Sequence, residues 1–438
     1  MDADKALKIA LELGADEAAA KRVEKDDVQI RFSNNRVDIS NRWLEESLAV
    51  FIAVEGRTTG VEIKNEAEMK ETIEKAIRFA KKLPENPDFR GLYPKKTGAT
   101  GIDADVDSVD ISEFPKMAME AALQHGARRV SGEIHLRRRD IWLTTNYNSL
   151  HERRSEIIST VRVFNEWGAP GQASTHVSTV KEMNRFGPEF VGDKAGRLAA
   201  MNRNPQEGEE GRYTVLFDPL CFGSAVTEIG RSLSAFSVDM GSSFFVDMIG
   251  EKVASDVLTV SDEPTRPGAG IRSFDDEGAP TRNTLAIEKG VLRTYLHSNS
   301  TAKKMGTETT GNAADSGNMS SLMPSYWQMA VFPGKRGWQD MLSDIDKGLY
   351  IANTWYTRYQ DRRAGDYSTI PRDGIFYVEN GEIVRAWKEI RITENMLNLM
   401  KNIAELGKEV EPVDWWGETS HVQAPYALVR DVRITGPK

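Results

Sequence analysis

Hydrophobic and polar positions alternate with two distinct periods along this chain. Near the start, Leu7, Ala10, Leu11 and Leu13 form a helical stripe that stops at Gly14. Val28, Ile30 and Phe32 then alternate with polar residues, the mark of a half-buried strand. Asn34-Asn35 is a hairpin turn signal leading into Val37 and Ile39. A further strand is expected over Trp43 to Val54, and Gly56 and Gly60 bound the next hairpin. Asn65 with Glu68 opens a second helix whose buried stripe is Ile73, Ala76, Ile77 and Ala80. The same order returns downstream. Phe114, Met117, Ala118, Ala121 and Ala122 form a helix ending at Gly126, strands follow, and a closing helix falls within 189–201. Gly14 and Gly126, Asn34 and Asn146, and Gly56 and Gly168 all share a spacing of 112 residues. The pattern predicts two tandem helix–four-strand–helix units, about 3–82 and 113–202, within an N-terminal domain 1–205. The helices cover one face of each sheet.

A polar, glycine-containing joint at 204–212 separates this part from a second domain over 212–438. There the pattern is mainly of strands, with hairpins around Lys289-Gly290 and Asn380-Gly381. Helices are expected at 219–236, 299–305, 337–346 and 394–406. The fold class is α+β, with an antiparallel, β-rich C-terminal domain. Asp218 and Pro219 suit the start of the helix at 219, and Ala225, Ile229, Leu233 and Phe236 give it one apolar face.

Composition narrows the function. A net charge of -9 argues against a general nucleic-acid binder. The longest apolar run, Leu48 to Val54, is of strand length and cannot span a membrane. A single cysteine excludes an internal disulfide, and the opening MDADKALKIALELG has no signal-peptide core, so a cytoplasmic setting is expected.

Thr227-Glu228-Ile229-Gly230-Arg231-Ser232 is followed by SFDDEG at 273–278, NTLAIEKGVLRTYL at 283–296, TTGNA at 309–313, LYIA at 349–352 and GIFYVENGEI at 374–383. This succession resembles the TldD/PmbA (TldE) family, the "modulator of gyrase" proteins. Catalytic, TldD-type members resemble zinc proteases with a His-Glu-x-x-x-His helix and a later cysteine ligand. The resemblance sets Thr227 and Ser232 where the two histidines would stand, with only Glu228 matching. The stretch EPVDWWGETSHVQAPYALV carries no cysteine for the third ligand, and Cys221 lies upstream of the motif. Neutral hydroxyls are poor zinc donors. The resemblance therefore implies the TldE/PmbA type. Such a chain has no catalytic residue or metal of its own, and it would work beside a TldD-like zinc subunit on unfolded peptides.

Other groups are weighed singly. Glu228 is either a leftover general base or a helix carboxylate near Arg231, and the second reading is favoured. Asp275-Asp276-Glu277 offers hard-cation donors without the spacing of a calcium loop, and a polar turn is favoured. Thr310, Gly311 and Asn312 resemble the family's loop near the substrate cleft. Tyr356, Trp416 and His421 are further peptide-cleft candidates, although the aromatics Trp355, Tyr356, Tyr359, Trp415 and Trp416 fit core or interface better. Arg137-Arg138-Arg139 and Arg153-Arg154 suggest a solvated sheet face or a groove for acidic peptides. Two alternatives to the protease subunit stay open. One is a homodimeric, metal-free peptide-binding protein. The other is a hydrolase rebuilt around Glu228, Asp239 and His297.

Overall fold

The computed structural model describes residues 1–98, 102, 104–415 and 419–436. Helix α1 (Ala3–Glu12) starts at Asp2, whose carboxylate accepts the Lys5 N–H. Three long strands follow: β1 (Glu17–Ser33), β2 (Arg36–Val54) and β3 (Arg57–Ile63), and then α2 (Met69–Ala80). The second unit holds α3 (Phe114–Leu123), β4 (Arg129–Thr145), β5 (Ser149–Phe164), β6 (Pro170–Val177), α4 (Val180–Phe186) and α5 (Pro188–Met201). Among the described residues each unit thus has three strands, not four. Nothing breaks the backbone between Arg36 and Val54, so the two strands expected there form one. Asn34 and Asn35 take the positive φ values of a tight hairpin turn, 48° and 63°.

All six strands form one antiparallel sheet in the order β3-β2-β1-β4-β5-β6. The order is its own mirror about the β1–β4 junction, where Asp26 lies opposite Arg138. Those two positions are separated by the same 112 residues as the glycine pairs, so the middle of the sheet is a local two-fold centre. Their side chains meet at 3.2 Å. Ala6, Ala10, Ile73 and Ile77 pack against Val50 and Ile52 in one half, and Ala118, Val191 and Ala195 against Ile134 and Val161 in the other.

The joint is itself structured: β7 (Gln206–Glu207) pairs with Trp387–Lys388. Beyond it, among the described residues, a twelve-stranded sheet surrounds β8 (Gly211–Phe217). This sheet is mixed. β8 runs antiparallel to Thr419–Thr435 but parallel to Lys347–Asp361, and Met329–Val331 is also parallel to Thr419–Thr435. The hairpins around Lys289-Gly290 and Asn380-Gly381 form as expected. The helix expected over 394–406 is only Met396–Lys401, because Ile403–Trp415 joins the sheet.

Helix α6 (Pro219–Ser232) lies against the last strand and starts at Asp218, which accepts the Leu220 N–H. It is buried on nearly all sides, only Ala225 and Arg231 reaching solvent to any degree, so the expected single apolar face is too narrow a reading. Small residues allow this. At Gly230 an added Cβ would come within 2.6 Å of the Tyr326 ring. Gly230→Val is therefore expected to lower unfolding stability in urea by about 1–3 kcal/mol through overpacking.

Candidate functional site

Thr227 and Ser232, the positions matched to metal-binding histidines, are 0% and 1% exposed. The helix is regular across both, so a five-residue separation turns them about 500°, away from a common face. Thr227 Oγ1 accepts the Ser420 N–H at 3.3 Å and shares a hydrogen bond with Tyr326. Burial pushes the Tyr326 phenol up to about 12. Ser232 Oγ is buried, and among the described residues it has no hydrogen-bond partner. The contact from Thr227 to Ser420 brings the motif helix and the C-terminal stretch together.

Glu228 is 4% exposed and held between two guanidinium groups, Arg231 at 2.5 Å and Arg362 at 3.2 Å. Arg362 in turn lies 4.4 Å over the Tyr359 ring. The carboxylate is the Arg231 partner that the favoured reading expects, but it is buried. Cys221 is buried, and desolvation pushes its thiol well up, so it is a neutral thiol where zinc requires a thiolate. The donor set around the motif is two hydroxyls, one doubly paired carboxylate and one protonated thiol. These residues do not fit a catalytic zinc.

Ser420 leads into His421, whose backbone N–H donates to Asp414 at 3.3 Å. Burial raises the Asp414 carboxyl. The His421 ring stands 6.1 Å from that of His176, which is fully buried between the two domains. His176 Nδ1 accepts the Ala269 N–H at 3.1 Å, and Nε2 donates to the Val422 carbonyl at 3.4 Å. Burial holds this imidazole down at about 3. Nothing in the sequence marked His176, because a lone histidine in a strand carries no pattern.

His421 opens onto a cleft of about 370 Å³ between the first sheet and the second domain. Lys21, Arg137, Arg139, Arg154 and Glu156 also line it. Strand alternation divides the arginine run, since Arg138 and Arg153 line a hollow on the other side with Asp26 and Asp140. The cleft-facing cations have acidic neighbours: Lys21 meets Asp276 at 2.8 Å, Arg137 meets Glu156 at 3.4 Å, and Arg154 meets Glu152 at 3.2 Å.

The turn at 275–278 is polar, as favoured, yet buried. Asp275 accepts the N–H groups of Glu277, Ala279 and Ala313, and Glu277 accepts that of Asn299. Burial pushes the Asp275 carboxyl up to about 7. Lys21 on β1 binds Asp276 from the first domain, so the turn works as a fastener between domains.

Thr310 and Asn312 are buried, 2% and 0% exposed. Thr310 accepts the His297 N–H and donates to Asn312, whose amide donates to Asp262 and to the Ser325 carbonyl. The Gly311 carbonyl accepts from Trp327 Nε1. The loop's polar groups are thus engaged internally and do not line the cleft. Tyr356 is exposed at a left-handed φ of 67°, with Arg358 4.3 Å over its ring. Trp416 lies outside the described residues. Asp239 pairs with Lys304 at 2.6 Å, remote in hydrogen bonding from Glu228, and burial lowers His297 to about 4. Among the described residues no three His, Cys, Asp or Glu side chains are grouped as a metal site.

The description "PmbA/TldA metallopeptidase C-terminal domain" fits residues 210–436. The chain belongs to the PmbA/TldD metallopeptidase family. A metalloprotease of Methanothermobacter thermautotrophicus is 30% identical over 229 residues, covering 50% of this chain and 47% of its own length. Metalloprotease PmbA of Escherichia coli O157:H7 is 26% identical over 251 residues, covering 57% and 51%. The matched part thus spans about half the length of these curated relatives. TldE of Thermococcus kodakarensis superimposes with a TM-score of 0.84 at 17% identity over 99% of both chains. A protein named a modulator of DNA gyrase from Bacteroides thetaiotaomicron gives 0.80 at 20% identity, covering 99% of this chain and 98% of the other. At such identities the likeness is one of fold. Among the described residues no helix is long and apolar enough to cross a membrane.

Proposed function

We propose that this PmbA/TldD-family chain is the metal-free, TldE/PmbA-type subunit of a cytoplasmic protease acting on unfolded peptides, with zinc in a TldD-like partner. The observation that carries this reading is the state of the motif helix. Its two hydroxyls face apart, and Glu228 is ion-paired with Arg231 and Arg362. A general base must face a metal-bound water, and both oxygens of this carboxylate are instead turned to guanidinium groups. In this reading the chain walls the peptide path. His421 and the cations of the interdomain cleft hold an extended substrate, with Tyr356 at an outer surface.

The test is reconstitution with a zinc-bearing family member. The dialysed chain should hold no stoichiometric zinc by plasma emission and should leave unfolded casein intact. The mixture should cleave it, and Glu228→Gln in this chain should leave that rate within about twofold. One zinc per isolated chain, with cleavage abolished by chelation and by Glu228→Gln, would overturn the reading.

A further inference from the structure

The first sheet has one long open edge. β3 covers β2 only over Leu48–Val54, and among the described residues no strand pairs with the outer side of 36–47. Exposed backbone of this length is a template for another strand. Neither proline nor lysine interrupts it. Ile39 and Trp43 are 39% and 42% exposed, and alternation places both on the side of the sheet that Ser47 and Ala49 present to the cleft. Apolar side chains so arranged on an unpaired strand call for a partner strand.

We propose that this edge pairs antiparallel with the same edge of a second copy of this chain, about a two-fold axis at Asn41. The edge is complementary to itself in that register. Ile39 of each copy falls opposite Trp43 of the other, which buries two apolar pairs. A one-residue bulge at Asp38 shifts the remaining register. Arg36 of each copy then reaches the acidic pair Glu45 and Glu46 of the other, giving two charge contacts of opposite sign at the ends. A two-fold contact uses one surface twice, so every favourable pair counts double. This self-pairing goes beyond the proposed protease role and needs neither zinc nor a second kind of subunit.

The test uses the full chain alone. Light scattering at micromolar concentration should give a dimer. Asn41→Cys should form a disulfide-linked dimer under mild oxidation, since residues on the axis face each other closely. Cys221 is buried and gives no background. Glu71→Cys, on the exposed side of α2, should not cross-link. Ile39→Lys with Trp43→Lys should shift the mass to monomer while the melting temperature stays that of the monomeric fold. A monomeric parent would overturn the proposal, as would equal cross-linking at 41 and 71 or an unchanged mass in the lysine variant. In the reconstituted mixture, cross-linking of residue 41 solely to the zinc-bearing subunit would overturn it in favour of a mixed interface. The zinc assay above is independent of all these outcomes.

Discussion

Replacing Lys194 by methionine is expected to destabilise the protein by about 3–5 kcal/mol, the cost of breaking a buried ion pair by removing one partner. The Lys194 side chain is 5% exposed on α5 and donates to Asp218 at 2.9 Å and to Glu411 at 2.6 Å. Tyr350 donates to the other Asp218 oxygen at 2.9 Å. Asp218 also caps α6, so one cation joins the first domain, the motif helix and the C-terminal hairpin. Without it two buried carboxylates face each other with only a phenol between them. Burial already raises the Glu411 carboxyl. Urea unfolding at neutral pH measures the effect. A loss below about 1 kcal/mol would mean that water or a rearranged Arg197 replaces the ammonium.

The second large effect concerns acid. His176 is neutral in the folded state, held at about 3 by burial, with His421 facing it. Its folded value lies below the unfolded 6.5, so the unfolded chain binds the extra proton first. The stability it contributes is complete above 6.5 and falls as pH drops toward 3, by up to roughly 5 kcal/mol. The geometry explains the direction. A proton on Nδ1 would confront the Ala269 N–H that now donates to it. Asp275 works the other way, since its raised carboxyl favours folding as pH falls through about 7. The comparison that isolates His176 is therefore urea unfolding of parent and His176→Gln at pH 7 and pH 4. The parent should lose more between the two, and equal losses would refute the assignment.

The amphipathic units of the first domain were legible because their strands have one covered face, and alternation records that. Gly14 and Gly126 both take positive φ, 95° and 75°, so the repeat was visible in residues chosen for backbone shape. The number of strands was not, because a hydrophobic run and a polar run within one strand read as two. In the second domain the hairpin turns were legible at Asn380-Gly381, where a tight turn dictates the residue types. The parallel pairings were not, since partners distant in sequence leave no local period. At the site, the loss of histidines was readable directly. That Glu228 is clamped by Arg362, 134 residues away, was not. Neither was the burial of Thr310 and Asn312, whose small polar side chains look the same in an exposed turn and in an internal network.

The centre of the six-stranded sheet carries a charge pair that strict two-fold symmetry would forbid. Asp26 and Arg138 hold equivalent places in the two units and face each other across the local axis. Two separate, identical chains joined there would set that residue against its own duplicate. A charge of either sign would then repel itself, so only a neutral side chain would be tolerated. One continuous polypeptide is free of that constraint, because each place carries its own residue. An aspartate facing an arginine at this point is an asymmetry that a single chain permits and a symmetric pair of identical chains does not.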